Sequence, residues 1–402
     1  MSNTLLTISM ITKEALRILE NNLAFTRRIN RQYDDKFAVE GAKIGYVVNA
    51  RKPVRYTVTT GAALSIQDAT ETQVPVTLST QDHVDFSFSS ADLLLSVDDF
   101  KNRFLLPAVS ALANKIDNEG LKLYREIAQQ VGTPGTTPNA LLTYLLAGVA
   151  LDNQAAPMDG QRSIVLTPKM QAYIVDALKG LFQQSSAIAT QYAKGTMGTA
   201  AGFEWAMDQN CPTHTIGAHG GTPLTDGAGQ TGAALVTNGW TDSTLVLKRG
   251  DVFTIAAVYE VNPQSRQSTG DLQKFVATAD VTSAAGGGAA TIPISPAIIT
   301  SGAFQTVTAS PANDAAIVVS GAASLVHPLG MAFHRDAFTL VCADLPVPRG
   351  VDMGSRVSDK QLGISLRVVR QYDINTDAWP CRIDVLYGWA TLRPELACRI
   401  AA

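Results

Sequence analysis

The sequence predicts an α+β protein that carries an inserted all-β domain, and three observations lead there. A helical stripe of Leu105, Val109, Leu112, Ile116, Gly120, Leu123 and Ile127 recurs at steps of four and three. Residues 243–281, "STLVLKRGDVFTIAAVYEVNPQSRQSTGDLQKFVATADV", alternate apolar and polar through Leu245, Leu247, Val252 to Val258 and Phe275 to Val281. A Gly-Asp turn and an Asn-Pro loop punctuate that strand pattern. Longer strand patterns then return at 332–345, 364–373 and 381–392.

The elements follow in order. Thr12 suits an N-cap, with Glu14 in the first turn, for a helix running to about Tyr33. Leu16, Leu19 and Leu23 mark its apolar stripe. Arg27, Arg28 and Arg31 cluster at its end, where cations complement the helix dipole. They read either as a solvated end or as a docking site for an acidic partner. From 37 to 90 the period changes to two. Val54, Tyr56 and Val58 alternate with Arg55, Thr57 and Thr59, and Val84, Phe86 and Phe88 with Asp85, Ser87 and Ser89. With the polar "TGAALSIQDATETQ" between them, these segments predict a long two-stranded arm. Two strands cannot cover their own apolar face, so the arm must lie on something, and a neighbouring subunit is one answer. Arg51, Lys52 and Arg55 give it a basic edge, while Asp68 and Glu71 make its tip acidic. The plain alternative is a charged edge that blocks stray pairing.

A spine helix from Pro107 to Val131 would be ~37 Å long at ~1.5 Å per residue, with Pro107 in its first turn and Gly132 and Pro134 after its end. Residues 133–222 read as mixed α/β. "NALLTYLLAGVAL" is helical, "RSIVLTP" a buried strand, and "KMQAYIVDALKGLF" a helix opening after Pro168. The Gly- and Thr-rich stretch up to residue 222 predicts a boundary. Residues 223–328 read as a small barrel or sandwich of short strands. The final strands find no partners in their own segment and are expected to rejoin the domain begun before the insertion.

Charged residues make up 17% of the 402 and apolar residues 46%, against a usual charged share of about 25%. So little charge implies a large interior or much surface buried against other chains. The net charge of −3 offers no basic field for wrapping nucleic acid. No apolar run reaches the ~20 residues of a membrane span, and the opening residues lack a signal-peptide pattern, so no membrane is expected. Cys211, Cys342, Cys381 and Cys398 form no CxxC pair and read as reduced thiols.

Motifs for catalysis are sparse. Cys211, His214 and His219 in "CPTHTIGAH" supply three of the about four ligands a zinc site needs, with no fourth in view. The Gly-rich segments lack the Lys-Ser/Thr ending of a phosphate loop, and His83, His327 and His334 are isolated in sequence. No enzyme, metal or cofactor is expected. A shell protein, a glycan- or receptor-binding module and an enzyme built on the Cys211–His219 loop are the classes to separate.

The order of parts, with "LKRGDVFTIAAV" at 247–258 and the ending "CRIDVLYGWATLRPELA", resembles the major capsid proteins of tailed double-stranded-DNA bacteriophages. It is most similar to the Salmonella podophage coat-protein branch. The resemblance implies the Hong Kong-type capsid fold: an N-terminal arm at 1–36, an E-loop at 37–90, and the spine helix of a peripheral domain at 91–132. It further implies an axial domain at 133–222, an inserted β-barrel at 223–328 and return strands at 329–402. The implied function is a self-assembling icosahedral shell of hexamers and pentamers, built as a scaffolded procapsid in the host cytoplasm and expanded as DNA enters through a portal. Partners would be further copies, a scaffolding protein, a portal protein, a decoration protein as an optional addition, and packaged DNA held non-specifically. Arg27, Arg28 and Arg31 would face scaffold, Arg51, Lys52 and Arg55 would clamp an adjacent subunit, and the loop at Asp226 would reach across a two-fold axis. About ten residues precede the first helix, too few for a cleaved scaffold-like segment, and no Lys–Asn crosslink pair can be chosen.

Overall fold

A computed structural model describes residues 13–19, 23–31, 45–62, 64, 66–68, 71–89, 106–178, 197–359 and 364–402. The chain divides into two compact units, each built from non-contiguous segments. One comprises residues 1–51, 73–120 and 338–392, the other 52–72, 121–337 and 393–402.

In the first unit, residues 13–19 are helical, but the helix expected to reach Tyr33 has ended by Leu23 and only a 3-10 turn, Thr26–Arg28, follows. Thr12 and Tyr33 lie outside the described residues. The physical reason is tertiary. Buried Asp117 accepts the backbone N–H groups of Ala24 (2.7 Å), Phe25 (3.1 Å) and Thr26 (3.1 Å), which fixes a turn where the sequence pattern continues a helix. Asp117 sits on α1 (Leu106–Leu121), the spine helix, together with Val109, Leu112 and Ile116 on the buried face. Gly120 completes that face: a Cβ there would stand 2.5 Å from the Trp389 ring and 2.9 Å from Phe25. Phe25 stacks on Trp389 and meets Phe338 edge-on, both with ring centroids 5.6 Å apart.

The spine is shorter than the apolar stripe predicts. It stops at Leu121, passes into a 3-10 turn, Lys122–Glu126, and then into an extended strand. The arm also differs. β1 (Val47–Arg51) pairs antiparallel with β2 (Gln73–Thr77), whereas 54–59 joins no strand. β3 (Thr80–Ser89), assigned above to the arm, instead runs along β21 (Ala378–Thr391), from Ser89 opposite Ala378 to Thr80 opposite Tyr387. β21 also pairs with β18 (Phe338–Ala343) and β20 (Ile364–Arg370), and β20 with β19 (Met353–Asp359). These C-terminal strands therefore do find partners within their own segment, a pairing that alternation alone cannot assign. Ala50, Val76 and Leu78 root the arm's base on Val341, Ala343, Leu386 and Ala390 of this sheet. Inside it, Asp384 is fully buried and held by Arg367 (Nε to Oδ1, 2.9 Å) and Gln81 (2.9 Å).

The second unit contains a seven-stranded sheet and the barrel. The sheet runs β4 (Gln130–Val131), β22 (Ala397–Ala401), β17 (Val326–His334), β5 (Arg162–Leu166), β7 (Phe203–Met207) and β6 (Thr199–Ala200), with β8 (Thr213–Thr215) also on β17. β5 is buried at every position, as its apolar run predicts. α2 (Leu141–Asn153) packs on β22, β4 and β17. α3 (Pro168–Ala177) opens as expected, with Pro168 at its first position and the Thr167 hydroxyl accepting the Met170 N–H at 3.2 Å. The Gly-rich stretch before residue 222 does not dissolve into loop: β6, β7 and β8 lie within it and complete the sheet. The pairing of β17 with β5 spans the whole insertion.

The insertion is a six-stranded barrel in the order β16 (Ile317–Val319), β12 (Val252–Val261), β13 (Ser268–Ala277), β15 (Ala290–Ile298), β10 (Gly232–Trp240) and β9 (Gly221–Thr225). A bridge from Leu224 to Ala316 joins its two edge strands. Beside it β11 (Leu245–Leu247) pairs with β14 (Val281–Thr282). Two barrel strands thus precede the 243–281 block. The interior is mostly apolar, with Leu235, Phe253, Ile255, Phe275, Ile292 and Val307 each no more than 1% exposed.

Candidate functional site

The turn that raised the insertion to notice in the sequence is where the barrel is held to the sheet. Gly250 has φ +102°, and a Cβ there would meet Arg125 at 3.1 Å and His214 at 3.3 Å, so only glycine fits both the backbone and the space. Next to it Asp251 is 1% exposed and fully engaged. Its Oδ2 accepts the N–H groups of Lys248 (2.7 Å) and Gly217 (2.9 Å), and its Oδ1 lies 2.7 Å from His214 Nε2. With Nε2–H donating to the carboxylate, His214 Nδ1 accepts from the Tyr124 hydroxyl at 3.0 Å. Arg399, also 1% exposed, donates through Nη1 to the Gly250 carbonyl at 2.6 Å, with its guanidinium 5.8 Å from the Tyr124 ring centroid.

His327 closes the cluster. It pairs with His214 across β17 and β8, and the rings meet edge-on at 5.7 Å. Burial, then the neighbouring His214 and Arg399, push its pKa down to about 4. Burial likewise lowers Arg399 to about 10. A second buried group lies on β12, where Glu260 accepts from Gln129 and Gln154 and meets the Thr269 hydroxyl at 3.3 Å. Burial raises its pKa. Gln130 to Ser320 (2.7 Å), Arg249 to Glu126 (2.9 Å) and Asn262 to the Asn153 carbonyl (2.8 Å) add further ties. These bonds position a domain. His214, read above as a possible zinc ligand, is instead held by Asp251 and Tyr124, while His219 faces the Gly321 carbonyl at 3.1 Å. Among the described residues no group of three or more metal-ligating side chains forms.

The other conspicuous region is the excursion from Lys52 to Thr72. The Lys52 N–H bonds the Thr72 carbonyl at 2.8 Å, and the Thr57 N–H bonds Gln67 Oε1 at 2.8 Å, so the far end lies near Gly61. Asp68 and Glu71 are exposed on the returning limb and do not form the tip. The outer part is apolar: Val58 is 97% exposed, Leu64 87% and Ile66 81%. In the sequence Val58 closed an alternating strand pattern while Leu64 and Ile66 sat inside a polar, turn-rich segment, so their common patch became visible only with the fold. Four side chains of α2, Leu142, Leu145, Leu146 and Val149, also face outward.

A family model described as P22 coat protein, gene protein 5, matches residues 3–399. The chain belongs to the P22 coat protein family. It is accordingly a major capsid protein that assembles with itself into the icosahedral shell of a virion, with the Hong Kong-type fold of that family. Of the three classes separated in the sequence, this family is that of the shell protein. No individual curated protein matches the sequence. Solved structures with related architecture include one of Mycobacterium phage Che8, at 13% identity and TM-score 0.47, over 94% of this chain and 90% of that one. The capsid structure of cyanophage P-SCSP1u gives 11%, 0.45, 94% and 89%. The mature capsid of bacteriophage PhiM1 gives 10%, 0.41, 90% and 83%.

In this coat protein the residues singled out by sequence fall in different settings. Arg27 is exposed, whereas Arg28 and Arg31 are half-buried and Arg28 donates to the Ala24 carbonyl at 2.6 Å. Arg51 is exposed, Lys52 half-buried, and Arg55 is held by Glu395 at 3.1 Å. Asp226 is exposed on the β9–β10 loop. That loop is pinned: Gln230 bonds the carbonyls of Asp226, Gly227 and Val236, and Asn313 accepts the Gly227 N–H at 2.8 Å. It is an ordered projection.

Proposed function

We propose that this coat protein builds its shell as a scaffolded procapsid in the host cytoplasm, which expands as DNA enters through a portal and can then accept a decoration protein. The 52–72 excursion acts as the intersubunit clamp, with Arg51, Lys52 and Arg55 near its base and Asp68 and Glu71 on its returning limb. Arg27, with Arg28 and Arg31 behind it, faces the scaffolding protein, and the Asp226 loop contacts a copy across a two-fold axis. The observation that carries the clamp is the exposed apolar end at Val58, Leu64 and Ile66. A narrow excursion of this kind does not cover its own apolar side chains, and a shell of identical copies supplies the cover through heterologous contacts.

The test is a Val58→Ser, Leu64→Ser double variant of the full chain. The subunit should keep its circular dichroism and melting temperature, while particles seen by negative-stain microscopy fall by about tenfold or more. Wild-type particle yield from a normally folded variant would remove the clamp.

A further inference from the structure

Where the first residues of the excursion run past the insertion there is a recess of about 860 Å3 whose charged lining is Lys52, Arg55, Arg266, Arg393 and Glu395. Four cations face one carboxylate. That is an excess of +3 in a chain of net −3, so the rest of the chain carries −6. All four cations are half-buried. Arg55 lies over the Phe304 ring at 5.7 Å, and Arg55 (3.1 Å) and Arg393 (3.3 Å) share the same oxygen of Glu395. Among the described residues Arg266 bonds only carbonyls, those of Gly302 (2.7 Å), Ala303 and Tyr56 (3.3 Å), and its buried Nε has no partner there. Burial first, and the charge of Arg55 second, lower the Arg266 pKa. Cations gathered this closely with one counter-charge are stabilised by an anion that enters between them.

We infer that this recess docks a carboxylate-bearing extended segment of a second copy of the chain. The inference rests on reading the excursion as an intersubunit element, because Lys52 to Tyr56 form one wall. A second copy is the complementary occupant, since outside its own recess it is net acidic. Guanidinium forks match carboxylates two bonds at a time, and the volume is that of a pocket for a few side chains. Duplex DNA presents its phosphates on a convex cylinder, which half-buried cations inside a recess reach poorly.

The experiment uses the full chain with Lys52→Gln, whose side chain makes no hydrogen bond or ion pair among the described residues, and with Arg266→Gln. Both variants should melt near wild type. The subunit concentration for half-assembly, read by sedimentation, should rise about threefold for Lys52→Gln and about tenfold for Arg266→Gln, with a flatter salt dependence. Hexaglutamate should bind unassembled wild type and lose about tenfold in affinity in Arg266→Gln. Orthophosphate and oligothymidylate should bind more weakly than hexaglutamate. Folded variants that assemble at the wild-type concentration with unchanged salt dependence overturn the inference. So does oligothymidylate binding more tightly than hexaglutamate through the same residues. If the Val58→Ser, Leu64→Ser variant assembles normally while Arg266→Gln does not, the apolar clamp fails and the recess stands.

Discussion

The barrel's interior and its anchor are equally dry but built from opposite materials. Inside, Phe253, Ile255, Phe275 and Ile292 are buried among other hydrocarbon, a contact that stabilises without fixing direction. At the anchor, His214, Asp251, His327 and Arg399 are each no more than 5% exposed, and the bonds of His214, Asp251 and Arg399 each have a partner, a distance and an angle. The apolar core gives the insertion a reason to fold. The polar anchor gives it one orientation on its host sheet, because a buried charge that loses its partner is costly.

The largest expected effect separates the two regions. Phe275→Ala should cost about 3–5 kcal/mol through a cavity in the barrel, read as a lower denaturation midpoint for the insertion. Asp251→Ala should cost about 3 kcal/mol, but by leaving His214 and the N–H groups of Gly217 and Lys248 without their acceptor. Hydrogen exchange should then rise around Gly217, Lys248 and Tyr124 while β12 and β13 stay protected. Equal loss of protection in the barrel core would show that core and anchor are not separable.

Acid should act on the anchor through His327. His327 has its pKa lowered from 6.5 to about 4. The unfolded chain therefore binds the proton more readily, and stability is lost as pH falls from about 6.5 to about 4, up to about 3 kcal/mol. His327→Gln should remove that part of the pH dependence in a series of denaturant melts, and an unchanged slope would refute the assignment. The smallest effect belongs to Asp226→Ala. Exposed on a loop pinned by Gln230 and Asn313, it should change subunit stability by less than about 0.5 kcal/mol. Only assembly should respond, measured as particle yield.

The anchor was only partly legible. Gly250–Asp251 stood out as a turn between strands, yet nothing local marked Asp251 as buried, since most Gly-Asp turns face water. Tyr124 lay on an expected helical stripe, His327 looked isolated, and Arg399 sat in a closing strand; they converge from segments up to 275 residues apart. The arm shows the same limit. Alternation at 84–88 signalled a strand, but its partner, β21, lies about 300 positions away. Without the register, the strand was assigned to the nearest pattern.

By itself the sequence determined the α+β class, the existence of an inserted β block, the existence of helices within 139–151 and after Pro168, and the family, through period, turn chemistry and the order of parts. Those are properties of short windows and of their succession. Tertiary structure alone decided where the first helix and the spine end, which strands pair, that the excursion's outer part is apolar, and that a His–Asp–Arg cluster holds the barrel. Each of these depends on which distant backbone groups and charges meet. Asp117 turning the chain at Ala24 and His214 meeting Asp251 are contacts between residues 93 and 37 positions apart, which no local period encodes.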